Sequence, residues 1–411
     1  MRARGFTLIE LIVAVLVSAI VVAAAVTLLA GTQRAFQGGV DDRAMQETAR
    51  AAMDEITTSL SMAGYGLDPT FVFDFGQMNS FQYCTPPGQQ STVRFGGYQC
   101  ANPVTCRDSI TGPDEIVFYS RDPLFEHDLA GAVGVNSLTL SGPIDPSLLQ
   151  QGQILQIMCY GTNDQWLWAY VEVQSVSNAN TASVQVTLQP SAGNPADFPT
   201  QQGAFFGQAC FASGTRRAYK IDRYRYYVAA IDPTGAVQAW ETAGTRPYLM
   251  LDQGLPTSPQ AIAPDVEDLQ VAYAFPSDPT AGPVLQGATQ GLALTNSQTG
   301  IDLTSTPPTF TTPVLDPART TYSPANIQAV RVALIVRRER SDPNCVDQVC
   351  TQLPASLNRP AVAGQAGYQR QVYDTTVYIP NMKAQLPVFP YYDPSYTTGN
   401  CQDALGNCGG G

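Results

Sequence analysis

A carboxylate stands where lipid should be. Glu10 lies within Gly5-Phe6-Thr7-Leu8-Ile9-Glu10-Leu11-Ile12-Val13-Ala14, at the head of an apolar run that continues to Ala30. An acid inside a spanning helix costs about 2.5–3.5 kcal/mol, so it normally signals a partner group and a function. The chemistry open to it is pairing with a cation, yet no Lys or Arg stands between Arg4 and Arg34. The bland alternative is a side chain near the membrane edge that snorkels to the headgroups.

The other reactive residue types point away from catalysis. There is no Gly-x-Ser-x-Gly elbow or phosphate-binding loop, and the only histidine, His127, sits in Glu126-His127-Asp128 with no nucleophile motif nearby. It reads as a lone surface histidine, and no catalytic residue or cofactor is expected. All nine cysteines fall after residue 80, which fits an oxidising compartment. Cys345 with Cys350 and Cys401 with Cys408 are spaced for small local loops, and Cys159 is paired with Cys210 across an inserted region. Two of Cys84, Cys100 and Cys106 make a fourth bridge and leave one thiol over. Zinc sites use tighter cysteine pairs with further ligands, so no metal is expected. Turns such as Asp232-Pro233-Thr234-Gly235 lack the ligand run of a calcium loop.

Arg216, Arg217, Lys220, Arg223 and Arg225 alternate with Tyr219, Tyr224, Tyr226 and Tyr227. Such a strip could stack on and neutralise single-stranded nucleic acid. The solvated face of a strand is the plainer reading, for this strip and for Arg337-Arg338-Glu339-Arg340. A net charge of −12 argues against generic nucleic-acid affinity.

These residues need elements to position them. Phe6 to Ala30 reaches about 37 Å as a helix, enough to cross about 30 Å of hydrocarbon. Arg2 and Arg4 before it put the N-terminus in the cytoplasm and the remainder outside. A cleaved secretory signal ending near Ala23-Ala24-Ala25 is the rival reading. Met45, Ala49, Ala52, Ile56, Leu60 and Ala63 then recur at helical steps, so one helix continues out of the membrane as an amphipathic extension over 31–64, with a soft point at Gly38-Gly39. Gly64 and Gly66 end it.

After residue 65 the periodicity turns to two, and charged residues make up only 14% of the chain, as in exported, loop-rich β proteins. The spacing predicts an α+β chain whose long helix packs on an antiparallel head over 65–411. A small β-barrel or sandwich lobe is inserted at 133–212, with its strands between 133 and 190. The main sheet uses Tyr219–Ile231, Val266–Phe275, Ile327–Arg338 and Arg370–Ile379, and 276–326 is a Pro/Thr/Gly-rich excursion.

The opening Met-Arg-Ala-Arg-Gly followed by Phe-Thr-Leu-Ile-Glu resembles the class III signal of type IV pilins and type II secretion pseudopilins. Ser61–Gly66, Val266–Tyr273, Ile327–Arg337 and Arg370–Tyr378 are similar to successive blocks of PilW-type minor pilins. The resemblance implies that 1–5 is a leader and that a prepilin peptidase cuts after Gly5 and methylates Phe6. The new Phe6 amine, largely cationic at neutral pH, then pairs with Glu10 of a neighbouring subunit and sets helix register.

The function so implied is a minor pilin that primes and caps a type IV pilus. Its partners are the major pilin, other minor pilins and a tip adhesin, and it rests in the inner membrane, head in the periplasm, before assembly. A type II secretion pseudopilin and a membrane-tethered module binding DNA or surface ligands are the alternatives.

Overall fold

A run of apolar residues with no proline to stop it forms one helix, α1 (Leu8–Ser61), unbroken through Gly38 and Gly39. Adjacent glycines cost helix propensity. Here the long flanking turns carry the helix across them, where a side chain would meet nothing among the described residues. The computed structural model describes residues 8–67, 69, 72–73, 80–84, 90–94, 112–134, 136–160, 166–189, 211, 214–238, 245–257, 259–275, 284–286, 301–302, 309–310 and 327–383. Most of 276–326 therefore lies outside the described residues.

The strands in chain order are β1 (Ser80–Cys84), β2 (Gln90–Arg94), β3 (Ile116–Asp128), β4 (Ser137–Ser141), β5 (Ile154–Tyr160), β6 (Trp166–Ser177), β7 (Ser183–Leu188), β8 (Arg216–Ile231), β9 (Val237–Gln238), β10 (Arg246–Asp252) and β11 (Gln260–Pro264). There follow β12 (Val266–Phe275), β13 (Val284–Gln286), β14 (Ile301–Asp302), β15 (Thr309–Phe310), β16 (Ala329–Arg337), the single turn α2 (Gln348–Thr351), β17 (Gln352–Leu353), β18 (Val362–Ala363), β19 (Arg370–Tyr378) and α3 (Pro380–Lys383). The pairings are antiparallel.

Two sheets carry the head. The larger runs β11-β10-β8-β5-β6-β7-β4, with β3 and β9 also on β8, and curls into a half-barrel. The smaller runs β13-β12-β16-β19. The strand around Tyr219–Ile231 is thus not a member of the second sheet, against the expectation of one main sheet. One edge of β8 follows β3, while the other pairs β5 over Arg216–Ile221 and β10 over Arg225–Ile231. This strand joins β3, β5 and β10 in one sheet. A second hydrophobic core, separate from the one against α1, is built from residues such as Phe125, Leu140, Ile157, Val171, Val184 and Val186.

The main core lies between α1 and the sheets. Met45, Ala49, Ala52, Ile56, Leu60 and Ala63 form one buried stripe and pack with Val330, Val332, Leu334 and Val336 of β16 and with Leu269, Val271 and Tyr273 of β12. Ile56→Ala would leave a cavity at a site with no exposure, and should lower stability by about 2–5 kcal/mol, read as a drop in melting temperature of the detergent-solubilised chain.

At the top of the helix, Gly64 (φ +76°) turns the chain and donates its N–H to Tyr119 O at 3.0 Å. A Cβ there would meet Met382 Sδ and Val72 Cγ2, each at 3.1 Å, so the turn needs glycine.

Candidate functional site

Among the described residues, the side chains in the first half of α1 are almost all exposed. Leu8, Ile12, Leu16, Ile20 and Leu29 are among its exposed large apolar side chains, and Glu10 sits among them near the helix start. By length and composition this segment can cross a membrane. Gly5 and Phe6 lie outside the described residues.

Where the helix meets the head, polar contacts fix its angle and depth. Arg338, just after β16, donates from Nε and Nη2 to Asp42 Oδ1 at 2.9 and 2.5 Å. Tyr226 Oη donates to Ser59 Oγ at 3.0 Å and lies 3.3 Å from Glu55 Oε1. Asn381 Nδ2 donates to Ala63 O at 3.2 Å. These contacts, spread from Asp42 to Ala63, make the helix and head one lever.

Sequence reasoning missed a buried ionic latch at the end of the small sheet nearest Asp42. Val266 faces Val336 and Asp268 faces Ile335, so Glu267 is the extra residue of a β-bulge. Val266 and Leu269 both point into the α1 core. The two acids between them therefore turn to the opposite face, where the segment Ser341–Gln369 covers them. Glu267 takes Arg370 in bidentate fashion (Nε to Oε2 2.5 Å, Nη2 to Oε1 3.0 Å) and Arg337 Nη1 at 3.2 Å. Arg337 is 3% exposed, which corrects its reading as part of a solvated face. Its guanidinium also stacks over the Tyr368 ring at 4.1 Å. Asp265, the corner before β12, receives Arg246 of the larger sheet, joining the two sheets.

The second acid, Asp268, is wholly buried with Arg359 Nη1 at 2.6 Å. Burial pushes its carboxyl up to about 7 against the pull of Arg359 and the Gln270 hydrogen bond. A carboxyl whose folded value exceeds its unfolded one binds more protons when folded, so its contribution to stability falls as pH rises from about 4 to about 7. Denaturation midpoints taken across that window should show this slope, and Asp268→Asn should remove it.

The segment over these acids is itself ordered. Cys345 and Cys350 are joined, with Cα atoms 5.8 Å apart. Arg370 Nη1 donates to Cys350 O at 3.2 Å and to Tyr368 O at 2.9 Å, and Nη2 donates to Gln365 O at 2.8 Å. Cys159 is buried and disulfide-bonded. Cys210, Cys401 and Cys408 lie outside the described residues, as do Cys100 and Cys106.

The Arg/Tyr strip is matched by carboxylates. Arg225 pairs with Glu115 at 2.7 Å and with Asp252 at 3.4 Å, Lys220 with Asp122 at 2.7 Å and Asp222 at 3.3 Å, and Arg217 with Glu126. With its cations so paired, the strip offers little net positive field to a phosphate backbone. His127 is half-buried, its Nδ1 2.9 Å from Ser141 O and its ring against Phe125. Asp232 spends its oxygens within its own turn, on Thr234, Ala236 and Gln238. Among the described residues no group of three or more His, Cys, Asp or Glu could hold a metal ion.

Two family models match stretches of this chain. "Prokaryotic N-terminal methylation motif" covers residues 1–26, and "Type IV Pilus-assembly protein W" covers residues 225–381. The second stretch runs from the latter half of β8 to α3 and so contains the small sheet, the bulge and the latch. The methylation motif brings with it processing by a prepilin peptidase and association with pilus components. No curated protein matches. Among solved structures, the Phage phi92 endosialidase aligns at 10% identity and a TM-score of 0.16, over 76% of this chain. The chain spans 59% of that protein's length, and a similarity at that score carries no argument. A methylation motif on an apolar helix and a PilW domain in a β head clamped to that helix support a type IV pilin-like minor pilin.

Proposed function

We propose that this minor pilin primes assembly of a type IV pilus and caps it. The observation that carries this is a single helix, exposed and apolar with an acid near its start in one half, and clamped into a large head by the other. Cleavage after Gly5 leaves a cationic, methylated Phe6. That amine neutralises Glu10 of an adjoining subunit only at one axial stagger, so the pair sets register while the apolar faces supply adhesion.

Bulk supports the position. A head of about 345 residues has a radius of gyration near 20 Å and would crowd its neighbours if every subunit carried one. A rare subunit at the tip, head outward and helix docked on the first major subunits, avoids this and leaves room for an adhesin. Before assembly the helix holds the chain in the inner membrane with the head in the periplasm. The PilW match favours a pilus over a type II secretion system.

Quantitative mass spectrometry of sheared filaments tests the position. A small fraction of the major pilin's amount is expected, and equal stoichiometry would exclude capping. Gly5→Ser should leave the leader in place, seen as an unshifted band, no methylated Phe6 and no chain in filaments.

A further inference from the structure

From Glu339 to Val349 every residue but Cys345 is exposed, yet the backbone is tightly held. Asp342 N donates to Gly367 O at 2.8 Å, Cys345 N to Asp342 O at 3.0 Å, and the disulfide closes the end. Behind this finger stands the buried latch on Glu267. Two apolar side chains sit outward on it, Val346 at 78% and Val349 at 52% exposure. Exposed apolar residues on a pre-organised support are what a docking anchor requires, because little ordering entropy is lost on contact.

The finger's place in the fold identifies what it meets. It begins just beyond Arg338, which holds Asp42 of α1, and the apolar half of α1 leaves the head at that same end, with Phe36 and Val40 exposed below. Arg340, exposed at its base, adds a cation to the same segment. In a filament built by insertion from the membrane, the next subunit lies on this side.

We propose that the disulfide-closed finger Glu339–Cys350 is the surface by which this head seats on the pilin-type subunit beneath it. Val346 and Val349 are its apolar anchors and Arg340 faces a carboxylate of the partner. This rests on the filament reading above.

The test places the photo-crosslinking residue benzoylphenylalanine at Val346 or Val349 of the full chain in piliated cells, with Leu124, exposed elsewhere on the head, as the control position. Crosslinks to a pilin subunit from 346 and 349, and not from 124, are expected. The pair Val346→Asp with Val349→Asp should lower the chain's amount in filaments about tenfold or more, while leader removal stays complete. A chain present in filaments but crosslinked at these positions only to lipid, or to nothing, overturns the finger and leaves the filament reading standing. A wild-type chain absent from filaments overturns both.

Discussion

Glu10→Ala is expected to reduce the chain's amount in filaments about a hundredfold or more while leaving leader removal and Phe6 methylation intact. Removing one member of a desolvated ion pair costs about 3–5 kcal/mol, because the other charge is left without compensation, and about 1.4 kcal/mol is a factor of ten in an equilibrium. The single subunit in the membrane gains from the change, since an alanine enters lipid more readily than an acid. The effect is therefore opposite in sign for insertion and for assembly. Quantification of the membrane and filament fractions by mass spectrometry separates the two, and normal incorporation would refute the register role of Glu10.

Glu267→Ala should lower stability by a similar amount, about 3–5 kcal/mol, through a different loss. Arg370 has no side-chain exposure and Arg337 has 3%, and both lean on that one carboxylate. Its removal leaves the buried Arg370 without a carboxylate and Arg337 with Asp265 alone, at 3.8 Å. A fall in melting temperature of about 5–15 °C is expected, with early loss of amide protection over 341–369, the segment that Arg370 ties down through its bonds to backbone carbonyls. A triple change of Glu267, Arg337 and Arg370 to apolar residues of similar volume should recover much of the loss, as buried ion pairs replaced whole often cost little. A melting temperature unchanged in Glu267→Ala would show that the latch does not hold the segment.

Local pattern made much of this molecule readable from its residues. The stripe from Met45 to Ala63 is the buried face of α1 at the positions its three- and four-residue spacing gives, and Ser183–Leu188 alternates buried and exposed side chains as its period of two requires. Periodicity names a strand but not its neighbours. Hence the strand after Arg216 was expected in the same sheet as Val266–Phe275, whereas its length lets it serve β5 and β10 in turn, a partition that depends on residues far apart in the chain.

The latch was hidden for a related reason. Glu267-Asp268 beside apolar residues looks like one acid inward and one outward, and only the bulge at that point turns both to one side. Arg337 likewise continues an alternating run whose polar end reads as solvated, until a segment 30 residues further on is seen to cover it. Glu10 was the opposite case. A charge within an apolar run announces itself, because its cost is set by the surrounding lipid and not by the fold.

N-terminal peptide sequencing of the chain from native membranes and filaments examines the central claim most directly. The account requires the mature protein to begin at Phe6 with a methylated amine, the cation that Glu10 meets. A chain that begins at Met1, or beyond the apolar run near Ala25, would contradict it.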